Sequence, residues 1–285
     1  MVYVVAVLAN LLFTVVEALA GWWGHSMSLL SDAGHNFSDV CSLMLALLAF
    51  KLSQTRSTQR FTYGYRKSSV LISLCNAVLL LAVVVVIIVE SLRKFAHPAE
   101  VSGALISWTA AVGILINGVT AWALSSHRKH DINARGAFLH MLADTLVSLG
   151  VVVSGIIISY TGWYIADPIV GLVIALVILV STARLLLESI RMSVDAVPEE
   201  FDTEKIVSKM KGVEEVCDVH HVHIWPISTT DTALTAHVVV KDYRHVTEVM
   251  RKLKQLLAEM GLKHSTLEME TPEASCENTE CEPFN

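Results

Sequence analysis

The pattern of hydrophobic and polar positions divides the chain into two unequal parts. Six long apolar runs come first, at roughly 2–22, 27–50, 68–92, 101–125, 133–159 and 168–188, and each reaches the ~20 residues a helix needs to cross a bilayer. The third run is the cleanest: between Val70 and Val89 only Ser73 and Asn76 are polar. The second and fifth carry ionisable residues. The sixth opens at Asp167-Pro168, which predicts an N-cap acceptor followed by a proline whose missing N–H costs nothing in a first turn. Beyond about residue 195 the periodicity changes to that of an ordinary α/β domain. Residues 202–211 read as a helix, and Val213 to Trp225 and Ala233 to Val240 as strands joined through Pro226 and a Ser-Thr-Thr run. Residues 245–260 repeat apolar positions at helical spacing, with Gly261 placed to end the helix, and Thr266 to Glu270 reads as a third strand.

Composition agrees with that division. Of 285 residues, 53% are hydrophobic and 17% charged, and the mean hydropathy is +0.55. Charges are sparse before residue 190 and return to ordinary density after it, so a membrane part is followed by a domain with a small core of its own. A net charge of −6 with no basic stripe argues against nucleic acid as a partner. The five cysteines are scattered and form no disulfide framework. The apolar stretch from Met1 lacks a basic leader region and runs past the length of a signal peptide core, so it reads as a first membrane helix. A short tail ahead of it, absent from this chain, is an alternative the sequence leaves open. Lys and Arg gather in the 51–67 loop (Lys51, Arg56, Arg60, Arg66, Lys67) and the 126–135 loop (Arg128, Lys129, Arg135), whereas the 23–26 and 160–167 loops have none. That asymmetry predicts cytoplasmic chain ends, with Arg93 and Lys94 dissenting.

Ionisable groups inside a membrane span are costly and need a reason. The second run contains His35 and Asp39, the fifth His140 and Asp144, so each carries His-x-x-x-Asp. Residues i and i+4 share a helix face, with Cβ atoms ~5–6 Å apart, which one metal ion can bridge. Asp39 and Asp144 lie ~18 and ~14 Å from the flanking Lys51 and Arg135, similar depths on helices running in opposite directions. Two imidazoles and two carboxylates suit tetrahedral Zn²⁺ better than octahedral Mg²⁺ or soft Cu(I), and the carboxylates neutralise the ion where bare charge is expensive. The alternative is a buried His–Asp hydrogen bond within each helix; two copies at one depth favour ligands. Imidazole titrates near neutral pH, which allows a metal ion to be traded for a proton. Asn10 and Glu17 share a face of the first run and line a vestibule or bond neighbouring helices. Asp32 is expected to cap or position the start of the second helix, and Asn76, Asn117 and Glu90 to make helix contacts.

The C-terminal part is rich in histidine: His220, His221, His223, His237, His245 and His264. Strand alternation would put His221 and His223 on one face and His220 on the other, with Glu268 and Glu270 sharing a face of the last strand. A second metal site here competes with the reading that these are ordinary exposed histidines. Cys276 and Cys281 are spaced Cys-x4-Cys, looser than a common zinc knuckle.

With these residues in view, the sequence resembles the cation diffusion facilitator family over essentially its whole length. The carriers are Ser31-Asp32-Ala33-Gly34-His35 through Asp39, the Arg60-Phe61-Thr62-Tyr63-Gly64-Tyr65-Arg66 loop, His140 through Asp144, Asp167-Pro168, and His221-Val222-His223-Ile224-Trp225. It is most similar to the bacterial cobalt-zinc-cadmium resistance branch. The resemblance implies an all-α six-helix transmembrane domain (1–195), a C-terminal α/β ferredoxin-like cytoplasmic domain (196–271) and an acidic Cys-containing tail (272–285). It implies a homodimer in the lipid bilayer and export of Zn²⁺, or another divalent cation, in exchange for protons by alternating access. It puts the transport ligands on His35, Asp39, His140 and Asp144, and links the first histidine to preference for zinc over cadmium. Cytoplasmic metal positions fall on His220, His237 and the Glu268/Glu270 strand, for Zn²⁺ as a regulatory ligand; mammalian relatives add counterparts of His264, Cys276 and Cys281. The 51–67 loop lacks the Asp and His ligands of some bacterial members. The link holding only His127 and His130 is shorter than the His-rich loop of many eukaryotic ones. The first departure implies that the intermediate loop site is missing; the second favours a prokaryotic-type protein, placed in the bacterial inner (plasma) membrane with the cytoplasmic N- and C-termini that the Lys and Arg distribution predicts. An intramembrane protease is disfavoured because no His-Glu-x-x-His occurs and four ligands close the site. A membrane metal sensor without transport is the remaining alternative.

Overall fold

A computed structural model describes residues 2–53, 55–125 and 132–272. The side chains described are those of these residues outside 2–9, 42–43, 46–47, 49–50, 53, 120–121, 123–125 and 132–141. His127, His130, Cys276 and Cys281 therefore lie outside the described residues, as does the side chain of His140. Six long helices come first: α1 (Val2–Trp23), α2 (Met27–Ser53), α3 (Ser68–Ala96), α4 (Gly103–Ser125), α5 (Ile132–Thr161) and α6 (Ala166–Ser193). The C-terminal part follows as α7 (Thr203–Lys211), β1 (Val216–Pro226), β2 (Thr232–Val240), a 3-10 turn at Tyr243–His245, α8 (Val246–Glu259) and β3 (His264–Glu270). The chain divides into two units, the first made of Met1–Leu45 with Cys75–Leu186 and the second of Ala46–Leu74 with Leu187–Asn285.

Among the described residues, Ser68–Ala96, Leu142–Thr161 and Ala166–Ser193 are long and apolar enough to cross a membrane, and Gly103–Val119 is a shorter apolar helix. Their outward faces carry Val78, Leu79, Val86, Leu115, Val173 and Val177, all exposed. Apolar surface of that extent suits lipid rather than water. Trp22, Trp23, Trp108, Tyr160 and Trp163 are also exposed near helix ends, where amphipathic rings favour the headgroup level. Within the first unit, α4 and α5 run with their backbones in contact. A Cβ on Gly103 would meet the Gly155 carbonyl oxygen at 2.4 Å, and one on Gly155 would meet Ser107 Oγ at 2.4 Å. Small residues facing one another permit this approach, which lipid gives no hydrophobic drive to create.

The start of α2 differs from the expectation. The helix opens at Met27, so Asp32 lies inside it and caps nothing. Instead Asp167, expected to cap its own helix, reaches across to α2. Its carboxylate accepts from Ser26 Oγ (2.6 Å), Met27 N (2.5 Å), Ser28 N (3.1 Å) and Ser28 Oγ (2.5 Å), and it is fully buried. Those amides are unpaired donors of a helix N-terminus, and a carboxylate there also complements the helix dipole. Ser31 Oγ donates to the Gly171 carbonyl at 3.0 Å, a second tie between α2 and α6. The two dissenting cations have local partners: Arg93 pairs with Glu90 at 2.6 Å, and Lys94 donates to the His25 carbonyl at 2.5 Å.

In the second unit the sheet order is β1-β2-β3, with β1 and β2 antiparallel and β2 and β3 parallel. One sheet face packs on α7 and α8 through Ile206, Met210, Val249, Leu253 and Leu257 from the helices and Leu234, Ala236, Val238 and Leu267 from the strands. Asp202 caps α7 by accepting from Lys205 N at 3.0 Å. The other face carries the histidines. Lys67 joins Asp195 at 2.5 Å and the carbonyls of Met192 and Pro226 at 3.0 Å each, tying the 46–74 segment to the rest of this unit.

Candidate metal centre

Helical spacing on α2 puts His35 and Asp39 on one face, with Nδ1 and Oδ2 3.8 Å apart. From α5, Asp144 meets the other side of the same imidazole, Oδ1 to Nε2, at 3.2 Å. One donor atom from each of His35, Asp39 and Asp144 lies within 4.8 Å of the other two. Asp144 is 1% exposed, so its charge needs a partner. Both nitrogens of His35 face carboxylate oxygens. A neutral ring can donate from only one nitrogen, so the arrangement favours either a second proton on the ring or a cation taking its lone pair. His140 lies on α5 one turn before Asp144, its side chain outside the described residues.

Around this trio sits a polar layer in which Glu17 bonds a neighbouring helix, as its sequence position allowed, and Asp32 does not act as a helix cap. Asp32 accepts from Ser148 Oγ at 2.8 Å, and Glu17 on α1 accepts from Asn36 Nδ2 at 3.1 Å. Glu17, Asp32 and Ser148 are all fully buried. The signal that could have found them is periodic: Asp32, His35 or Asn36, and Asp39 recur at the three-to-four spacing of one helix stripe.

The open face of the sheet holds a second group. His237 Nδ1 lies 2.6 Å from Glu270 Oε1, and His220 Nε2 lies 3.4 Å from Glu270 Oε2. Donor atoms of His220, His237 and Glu270 come within 4.8 Å of one another. Glu268 reaches His237 Nε2 at 3.4 Å but is largely exposed. Strict alternation fails at His221. The register runs from His220↔His237 to His223↔Thr235, three steps on β1 against two on β2, and His221 takes φ 55°. This bulge keeps Val222 packed against the core while His220 and His221 both face the open side. His221 then stacks on His237 with ring centroids 5.0 Å apart. Loss of water around the ring, and the imidazoles of His237, His223 and His220, push its pKa below the ordinary value. Asp218, which the sequence reading passed over, lies 3.4 Å from His220 Nδ1 and is held below the usual carboxylate range chiefly by Lys211, 2.7 Å away. His264 is not brought to this group: it pairs with Ala233, four positions along β2 from His237, and packs edge-on to Tyr63.

A membrane-crossing helical unit with nitrogen and oxygen donors gathered between two of its helices, followed by an α/β domain with a second donor group, is the build of a membrane protein that handles metal ions. Residues 3–192 match the family model of the cation efflux transmembrane domain, and 198–271 that of the cation efflux protein cytoplasmic domain. The chain belongs to the cation efflux, or cation diffusion facilitator, family, whose members are transporters and not enzymes. It is 34% identical to the cadmium, cobalt and zinc/H(+)-K(+) antiporter of Bacillus velezensis, over 94% of this chain and 87% of that protein. It is 36% identical to the zinc transporter ZitB of Yersinia pestis, over 91% and 84%. It is 30% identical to the metal cation efflux system protein CzcD of Cupriavidus metallidurans, over 94% and 85%.

Proposed function

We propose that this protein carries Zn²⁺ out of the cytoplasm in exchange for protons, exposing one intramembrane site alternately to each side. The observation that supports this reading is the meeting of His35, Asp39 and Asp144 between α2 and α5. His140, four residues before Asp144, completes a tetrahedral set of two histidines and two aspartates. The carboxylates offset the charge of the cargo, and the imidazoles take protons when the cargo leaves. The names of the relatives, which include zinc, cadmium and cobalt as cargo and H(+) as a counter-ion, support the same cargo class.

In this reading all of α1–α6 span the bilayer as one domain, 1–195, of a bacterial inner (plasma) membrane, and the Lys and Arg distribution keeps both chain ends cytoplasmic. Residues 196–271 form a ferredoxin-like domain, supported by the order α7-β1-β2-α8-β3, and 272–285 a separate acidic tail. That domain pairs two copies as a homodimer and binds Zn²⁺ as a regulatory ligand through His220, His237 and Glu270. The test is metal-driven proton flux in proteoliposomes across a panel of divalent cations. A Zn²⁺ gradient is expected to drive opposing proton movement, and Asp39→Ala or Asp144→Ala to reduce it by more than ~100-fold, beyond the range typical of losing a group outside the coordination shell. Zinc flux without proton movement would refute antiport. Zinc binding without any flux would leave a sensor.

A further inference from the structure

Beside the His35, Asp39 and Asp144 trio, two carboxyl groups lie outside the cluster of donor atoms. Glu17 on α1 and Asp32 on α2 are each 0% exposed. Their carboxyl groups lie close enough to interact with one another. Their outer oxygens are served by neutral donors, Glu17 Oε2 by Asn36 and Asp32 Oδ2 by Ser148. No donor among the described residues reaches Glu17 Oε1 or Asp32 Oδ1. Two ionised carboxylates offer acceptors only, so neither can satisfy the other. Both charges buried side by side would also repel in a low dielectric. A single proton removes both difficulties: one carboxyl becomes the donor, the other the acceptor, and one negative charge is left. The titratable groups facing the pair are His35 from α2 and Asp144 from α5. Helix α4, which packs against α1, contributes none.

We infer that Glu17 and Asp32 together form a proton-binding site, which holds one shared proton while His35, Asp39 and Asp144 are without cargo and releases it when a divalent cation arrives there. The inference rests on the reading of that trio as the cargo site. Asp32 lies one helical turn from His35, ~5 Å along the axis. With Asp39 and Asp144 ionised the trio is net negative even when His35 is protonated; a divalent cation brings it to neutrality and so removes repulsion that opposes a second carboxylate in the pair. The step breaks one O–H bond, delivers H⁺ to water and leaves Glu17 and Asp32 both ionised; departure of the cargo on the far side restores the proton. The pair thus carries part of the counter-ion without touching the metal.

The experiment counts protons. Purified full-length protein in weakly buffered detergent solution is titrated with Zn²⁺, with a pH-indicator dye reporting release and calorimetry reporting binding. Asp144→Ala serves as the reference for release from the C-terminal domain. Glu17→Gln is expected to bind Zn²⁺ with unchanged stoichiometry and to release about one proton fewer per site. Normal binding with an unchanged proton count overturns the inference. Infrared difference spectra of the unaltered protein cover the case in which Glu17→Gln does not fold: addition of Zn²⁺ is expected to remove a carboxylic-acid carbonyl band, and no loss of such a band overturns the inference equally. If Asp144→Ala alters neither binding nor release, the cargo-site reading fails instead, so the two failures are distinct.

Discussion

At the scale of single residues, His35 has the most exposed consequences. Its imidazole stands between two carboxylates, so in the proposed transport site the donor atom at this position would set both the charge and the hardness of the shell around the ion. His35→Asp would exchange a neutral nitrogen for a charged oxygen that can bind through one or two atoms, which favours a larger ion. The expected outcome is a rise in Cd²⁺ transport relative to Zn²⁺ on the order of tenfold, about 1.4 kcal/mol of discrimination. Competition assays in proteoliposomes measure it, and an unchanged ratio with transport retained would show that His35 does not set selectivity. The His-x-x-x-Asp spacing made this residue legible in the sequence, because helical periodicity alone decides that His35 and Asp39 share a face. His221 was not legible in the same way. A strand reading assumes alternation, and nothing local to His220-His221-Val222 announces the extra residue. The bulge follows from the need to keep Val219, Val222 and Ile224 on the core face, a constraint supplied by α7 and α8.

Among the elements, the start of α2 depends on a residue of α6. Asp167 serves four donors there, two of them backbone amides of a buried helix end. Hydrogen bonds to a charged group contribute about 1.5–3 kcal/mol each, and buried donors left without an acceptor cost a similar amount. Asp167→Ala is therefore expected to lower stability by at least ~3 kcal/mol. Asp167→Asn, which keeps the shape but loses the charge, should fall between. Thermal unfolding of the detergent-purified protein reads both, and a melting temperature for Asp167→Ala equal to the unaltered protein's would contradict the clamp. The sequence predicted the existence of the long helices and the kind of each element in the C-terminal part, since apolar runs and alternation are strong local signals. It misassigned Asp167 and Asp32 for one shared reason. An aspartate near a helix start looks like a local cap, and partners 116 to 141 residues away leave no trace in the local pattern.

For the molecule as a whole, the composition step near residue 190 falls close to Leu187, where the longer stretch of the second unit begins. The second unit's core draws on α7, α8 and the three strands, with Met210, Val238, Leu253, Leu257 and Leu262 at 0% exposure. A core of that kind does not need the membrane helices to close it. Residues 196–285 expressed alone are expected to be soluble and dimeric, and to bind Zn²⁺ at micromolar concentration. His237→Ala or Glu270→Ala should weaken that binding by at least ~10-fold, because each removes one donor of a three-donor group. Calorimetry and sedimentation decide the matter, and a monomer blind to zinc would leave the histidines as ordinary surface residues. The Asp167 clamp bears on how such a molecule could let its cargo go. A rod held at one end swings rather than slides. Asp39 stands twelve residues beyond Met27, a lever arm of ~18 Å. Swinging that arm by about 10° carries the carboxylate ~3 Å, farther than the ~2 Å length of a zinc–oxygen bond. In the proposed transport cycle, release of the ion would then require no unwinding of α2, only a rotation of about 10° about a pivot that is already built.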